Sequence, residues 1–121
     1  MYEKNIKQYL INSGFNKFEP KAVLFDMDGV LYDSMPNHAQ SWHGSMAKFG
    51  IEMTHEEAYQ YEGMRGVETI KHIAGRQWGR TVTDEEADEI YAEKCHFFST
   101  CPKANKMDGV EKLMREIKAS G

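Results

Sequence analysis

The stretch Lys21-Ala22-Val23-Leu24-Phe25-Asp26-Met27-Asp28-Gly29-Val30-Leu31 decides the reading of this chain. A short apolar run ends in two acids one residue apart, followed by a glycine. The run 22–25 is too short for a helix and rich in strand formers. It predicts a buried, parallel-type strand with residues 26–29 at its carboxyl end. Open α/β sheets bind their ligands at that end. Carboxylates beside an apolar strand are costly unless paired, so a cation or a hydrogen-bonding loop is expected next to them. Residues i and i+2 of an extended segment share a face. Asp26 and Asp28 can therefore aim at one ligand, and Gly29 lets the backbone turn close to it.

Asp-Gly is also a common turn pair, so two acids and a glycine alone can be a loop-shaping device. A helix-loop-helix calcium site needs an oxygen ligand at its fifth position and glycine at its sixth. Counted from Asp26, those positions hold Val30 and Leu31, which excludes it. The whole string, apolar strand then Asp-x-Asp-Gly-Val-Leu, is far more specific than either. It resembles the first motif of the haloacid dehalogenase-like hydrolases, enzymes of aspartate-based phosphoryl transfer.

That resemblance implies an α/β fold, a Rossmann-like core with an all-helical cap inserted after its first strand. It also implies a chemistry. Asp26 is the expected nucleophile, forming an aspartyl-phosphate. Asp28 is the expected general acid and base. Mg2+ is the expected cofactor, held by the Asp26 carboxylate and the Asp28 backbone carbonyl, which suits a hard cation with oxygen ligands.

The 121 residues (14.0 kDa) are 40% hydrophobic and 28% charged with a net charge of −4, which fits one small domain. No basic patch suggests nucleic acid, and no apolar run suggests a membrane. A mildly acidic chain can still hold a phosphorylated small molecule if a cation supplies local positive charge. Cys95 and Cys101 lack metal-ligand or Cys-x-x-Cys spacing. They are read as free thiols, and a cytoplasmic setting is the expectation.

Residues 1–19 are expected to be a helical extension, with Ile6, Tyr9 and Leu10 on one face and Gly14 ending the helix. It is expected to pack on the core or on a neighbouring chain, with Phe15 and Phe18 helping to dock it. Residues 20–33 form the core strand and catalytic loop. Residues 34–100 read as successive helices with short links, the cap. Ser34 is a candidate N-cap and Pro36 suits a first helical turn. Met35, Ala39, Trp42, Met46 and Phe49 then recur at helical spacing. Thr54-His55-Glu56-Glu57 and Thr83-Asp84-Glu85-Glu86 are capping boxes. The second opens a helix with Ala87, Ile90, Tyr91, Lys94 and Phe98 on one side, Lys94 running its stem over the apolar face. Residues 101–121 are the return hinge and a core helix with Val110, Leu113, Met114 and Ile117 inward.

Asp33-Ser34-x-x-x-His38-x-x-x-Trp42 is similar to the cap entry of the β-phosphoglucomutase and phosphosugar phosphatase subgroup. The resemblance implies that His38 contacts substrate or positions Asp28, with Asp33 and Ser34 in the hinge. An exposed helix residue is the plain alternative for His38. Gly63-Met64-Arg65-Gly66 falls where that subgroup carries a substrate loop. Arg65 is a candidate ligand for phosphate or sugar, since a guanidinium can donate two parallel hydrogen bonds; a surface arginine is the plain alternative. β-Phosphoglucomutase is expected to have lysine before the loop glycine and arginine three residues after it. Here Glu62 and Gly66 stand there, which favours a phosphatase over a mutase.

The resemblance spans about residues 20–121 but only the first half of the family pattern. The second strand with its Ser or Thr, the phosphate-binding lysine and the later acidic pair are expected beyond Gly121, so the missing half of the core is an expected partner. The chain alone is expected to show little phosphatase activity. A helical module that binds a partner without catalysis is the reading kept from another class.

Overall fold

The computed structural model describes residues 2–121. Six helices follow one another: α1 (Tyr2–Ser13), α2 (Met35–Lys48), α3 (His55–Gln60), α4 (Gly66–Trp78), α5 (Asp84–Thr100) and α6 (Val110–Ala119). Helix packing is confined to α2 with α3 and α5, and α4 with α5. These four helices lie within residues 34–100, the span expected to form the cap. Its core holds Met46, Ile70, Ile73 and Ile90, all at most 1% exposed, with Ala39 and Trp42 beside them. Each large apolar side chain buried this way contributes roughly 1.5–3 kcal/mol relative to exposure.

The helix ends follow the sequence signals. Thr54 and Thr83 each accept from the backbone N–H three residues on, and Glu57 and Glu86 reach back, so both capping boxes form. Gly79 closes α4 with φ of +66°, a left-handed conformation that suits a residue without Cβ. Ser34 departs from expectation. Its side chain makes no capping bond to α2, because the hydroxyl is engaged elsewhere.

Segment 20–26 is not a buried strand. It forms no ladder, Val23 is 48% exposed and Leu24 is 95% exposed. The physical reason is the lack of a pairing strand among the described residues; an unpaired strand has neither hydrogen-bond partners nor a covered face. Helix α6 differs for the same reason. Val110 and Ile117 are half-buried, but Leu113 and Met114 are 48% and 42% exposed. Helix α1 has no buried residue and packs on no other helix. Gly14 N–H bonds the Leu10 carbonyl at its end. Tyr9 meets Phe15 and Phe18, with ring centroids 6.3 and 5.9 Å away. The extension thus folds on itself rather than on the core.

On either side of the α2–α5 bundle, residues 31–33 and 105–107 run side by side. Asp33 N–H bonds the Asn105 carbonyl (2.8 Å), and Met107 N–H bonds the Leu31 carbonyl (2.9 Å). Tyr32 and Lys106 form an antiparallel bridge. Asn37 Nδ2 donates to the Pro102 carbonyl (2.8 Å). No described helix is long and apolar enough to cross a membrane.

Candidate active site

Residues 26–33 form a tight loop. The Met27 carbonyl accepts from the N–H groups of Val30, Leu31 and Tyr32, and Gly29 N–H bonds the Tyr32 carbonyl. Gly29 sits at φ +71°, and a Cβ there would lie 3.2 Å from Met35 Cγ. Only glycine adopts this turn against the start of α2 without strain.

The loop presents the two acids differently. Asp26 is exposed; its carboxylate has no hydrogen-bond or ion-pair partner among the described residues. Asp28 is anchored. Ser34 Oγ donates to its Oδ1 at 2.6 Å, and His38 Nε2 stands 3.3 Å from the same oxygen. The Ser34 bond, foremost, holds the Asp28 carboxyl below the ordinary carboxylate range. Burial opposes the shift, while the charges and hydrogen bond of His38 and the more distant Lys94 add to it.

Behind His38 lies a cation that the sequence reading placed on an apolar face without a role. Lys94 of α5 is 6% exposed. Its Nζ is 3.0 Å from His38 Nδ1 and stands over the rings of Trp42 and Phe98, 5.3 and 5.0 Å from their centroids. The His38 ring stacks on Phe98 at 4.3 Å. An ammonium only donates, so Nδ1 of His38 accepts and its proton belongs on Nε2, facing Asp28. The result is a directional chain: Lys94 to His38 to Asp28. Burial pushes the Lys94 amine below its ordinary value, and no carboxylate among the described residues lies within ion-pair distance of it. The signal available in the sequence was a lysine in the buried stripe Ala87, Ile90, Lys94, where a charge is expensive unless it has a task.

Arg65 is not drawn into this chain. It is at the N-terminus of α4, 85% exposed, 3.7 Å from Glu68. It does line the cleft of about 230 Å³ that also contains His38, Trp42, Glu62, Tyr91 and Lys94. Both cysteines are free.

The donor chemistry near Asp26 suits a hard cation. The Asp26 carboxylate is open, and the Asp28 carbonyl accepts no backbone hydrogen bond. The set is partial, since no group of three or more His, Cys, Asp or Glu side chains converges among the described residues.

A haloacid dehalogenase-like hydrolase family model matches residues 20–121, the span that carries this loop and the cap. The chain belongs to the haloacid dehalogenase-like hydrolases. The solved structure of a "putative beta-phosphoglucomutase" from Bacteroides vulgatus is similar over 99% of this chain and 49% of its own, at 46% identity and a TM-score of 0.93. A family IA, variant 3 hydrolase of the same superfamily from Entamoeba histolytica is 26% identical over 84% of this chain and 45% of its own, with a TM-score of 0.62. An uncharacterized protein of Haemophilus influenzae is 43% identical over 95 residues, which is 77% of this chain and 44% of that protein. The chain thus spans about half the length of the relatives it matches.

Proposed function

We propose that this chain supplies the nucleophile loop and cap of a magnesium-dependent phosphatase acting on a small phosphorylated metabolite, a sugar phosphate in the first instance. The observation that carries this reading is the asymmetry of the acid pair. Asp26 is free to attack, while Asp28 is bonded into the cap entry through Ser34 and His38.

In the first half-reaction a carboxylate oxygen of Asp26 bonds to phosphorus and the bond to the leaving oxygen breaks. Asp28 gives that oxygen its proton. In the second half, water attacks the aspartyl-phosphate and Asp28 takes the water's proton, so phosphate leaves and Asp26 is regenerated. The lowered pKa of Asp28 suits the second half, in which the group must begin ionised. A phosphoryl group bound beside it adds negative charge and raises its pKa, favouring the protonated form that the first half needs. Magnesium, held by the Asp26 carboxylate and the Asp28 carbonyl, would supply neutralisation of the phosphate oxygens. His38, with its proton directed by Lys94, orients the Asp28 carboxyl.

A mutase is the second reading, favoured by the likeness to the Bacteroides vulgatus protein. The test is a chimera in which this chain replaces the matching half of that protein. Given a hexose 1-phosphate and magnesium, free phosphate supports the phosphatase and the 6-phosphate isomer supports the mutase. Turnover that is unaffected by Asp26→Asn contradicts both.

A further inference from the structure

We propose that the N-terminal extension is a docking element, and that its apolar stripe packs on the half of the fold that the longer relatives carry and these 121 residues do not. The inference concerns assembly and does not depend on the chemistry at Asp26.

The stripe consists of Tyr2, Ile6, Tyr9 and Leu10, which recur at helical spacing along α1. Phe15 and Phe18 fold back beside Tyr9 and lengthen it. Little of this surface is covered. Tyr2 is 75% exposed, Phe15 61% and Phe18 50%, and α1 packs on no other helix among the described residues. A helix of 12 residues is marginal in water unless one face is packed. Clustered apolar side chains left in water mark an interaction surface.

The occupant follows from where α1 stands. The Bacteroides vulgatus structure matches 99% of this chain with a TM-score of 0.93. Residues 2–19 are too large a share of the chain for that score to be reached with α1 elsewhere. The helix therefore keeps one place relative to the α2–α5 bundle in both proteins, yet it packs on none of the bundle's helices here. A third body must hold it. This chain matches only 49% of the Bacteroides vulgatus chain, and the remaining half of such a chain is that body. Two copies meeting through α1 alone would share a contact roughly 18 Å long, short of the roughly 1,200 Å² of a stable specific interface. A membrane surface would not fix the helix relative to the bundle. Exposed apolar side chains also continue from Phe18 into Val23 and Leu24, so one partner surface can take α1 together with the segment that leads to Asp26.

The test is amide hydrogen exchange of residues 2–13, read by mass spectrometry on the isolated chain and on the chimera that joins it to the second half of the Bacteroides vulgatus protein. In the isolated chain α1 should exchange within about tenfold of an unstructured peptide while α2 and α5 stay protected, and in the chimera its exchange should slow by about 100-fold or more. Tyr9→Asp should abolish that protection in the chimera and leave α2 and α5 unchanged. Ile11→Asp, on the opposite face of α1, should keep it. Protection of α1 in the isolated monomer would overturn the proposal. So would protection that grows with chain concentration as dimers form in sedimentation, which makes a second copy the occupant, or protection that needs vesicles of anionic lipid. An α1 that stays unprotected in a chimera whose α2 and α5 are protected would overturn it as well. Should the fusion leave α2 and α5 unprotected, the second half is added to the chain as a separate polypeptide, and a failure to slow α1 exchange there counts against the proposal.

Discussion

Ser34 Oγ donates to Asp28 Oδ1 across 2.6 Å, so the residue that precedes α2 is bonded to the second acid of the Asp-x-Asp pair. The hydroxyl that the sequence offered to the N-terminus of α2 is spent on this bond instead. Ser34→Ala is expected to raise the Asp28 pKa toward its ordinary value and to cost about 1 kcal/mol of stability at neutral pH. The sign follows from linkage. Because folding depresses the Asp28 pKa, its stabilisation is present above about pH 4 and is lost as pH falls through the folded value. The stability difference between variant and parent should therefore shrink in acid. Carboxyl carbon NMR titration and urea unfolding at neutral and acid pH check both halves.

Lys94 gives a prediction of the opposite sign. Its ammonium is buried with no carboxylate within ion-pair distance among the described residues, so Lys94→Met should leave stability unchanged or raise it, since a methionine of similar length removes the desolvation penalty. The same change should free the His38 ring. Two readouts separate positioning from packing: a melting temperature that does not fall, and a shift in the Asp28 titration. A melting temperature several degrees lower would mean that the Lys94 bond to His38 outweighs its burial cost.

At the start of α5, Thr83 and Glu86 close a capping box, and Arg80 pairs with Glu86 through two contacts, of 2.9 and 2.6 Å. The Arg80 bond, foremost, and the Thr83 backbone N–H lower the Glu86 pKa to about 2. Its contribution is present above the unfolded value of 4.5 and declines as pH falls toward 2. Thr83→Ala should cost about 1 kcal/mol. Glu86→Gln should flatten the loss of stability between pH 4.5 and about 2. Thermal melts across that range give the answer.

The cap was legible because its signals are local. Two capping boxes and the stripe Ala39, Trp42, Met46 each act within a turn or two, and each appears in the structure. Segment 20–26 and α6 were legible as patterns but not as packing. Their apolar faces imply partners that come from elsewhere in the fold, and Leu24 and Leu113 stand exposed here. Leu24→Ser should accordingly change the stability of this chain by less than about 0.5 kcal/mol. Ile73→Ala, in the cap core, should cost about 2–5 kcal/mol. Urea unfolding of the two variants distinguishes them, and an equally large loss at Leu24 would show that segment 20–26 is covered in solution.

In the candidate site, spacing and resemblance led to the expectation that Asp26, Asp28 and Gly29 share one loop with His38 nearby, and the structure brings His38 to 3.3 Å from Asp28. The role of Lys94 could not be read this way. Helical periodicity says only that a residue faces inward, and the contact that matters, from α5 to α2, joins residues 56 positions apart. Ser34 was found for the right place and assigned the wrong bond, because a serine before a helix has two competing acceptors and donors nearby, and only the folded loop brings the Asp28 carboxylate within reach.

On the proposed mechanism Asp26 becomes covalently phosphorylated. The most direct measurement is to incubate the chimera with a hexose phosphate and magnesium, quench it in acid, reduce the acyl-phosphate with borohydride and map the modified peptide by mass spectrometry. Conversion of Asp26 to homoserine, absent in Asp26→Asn, is the predicted result. Substrate turnover with Asp26 unmodified, or modification at another side chain, would contradict it.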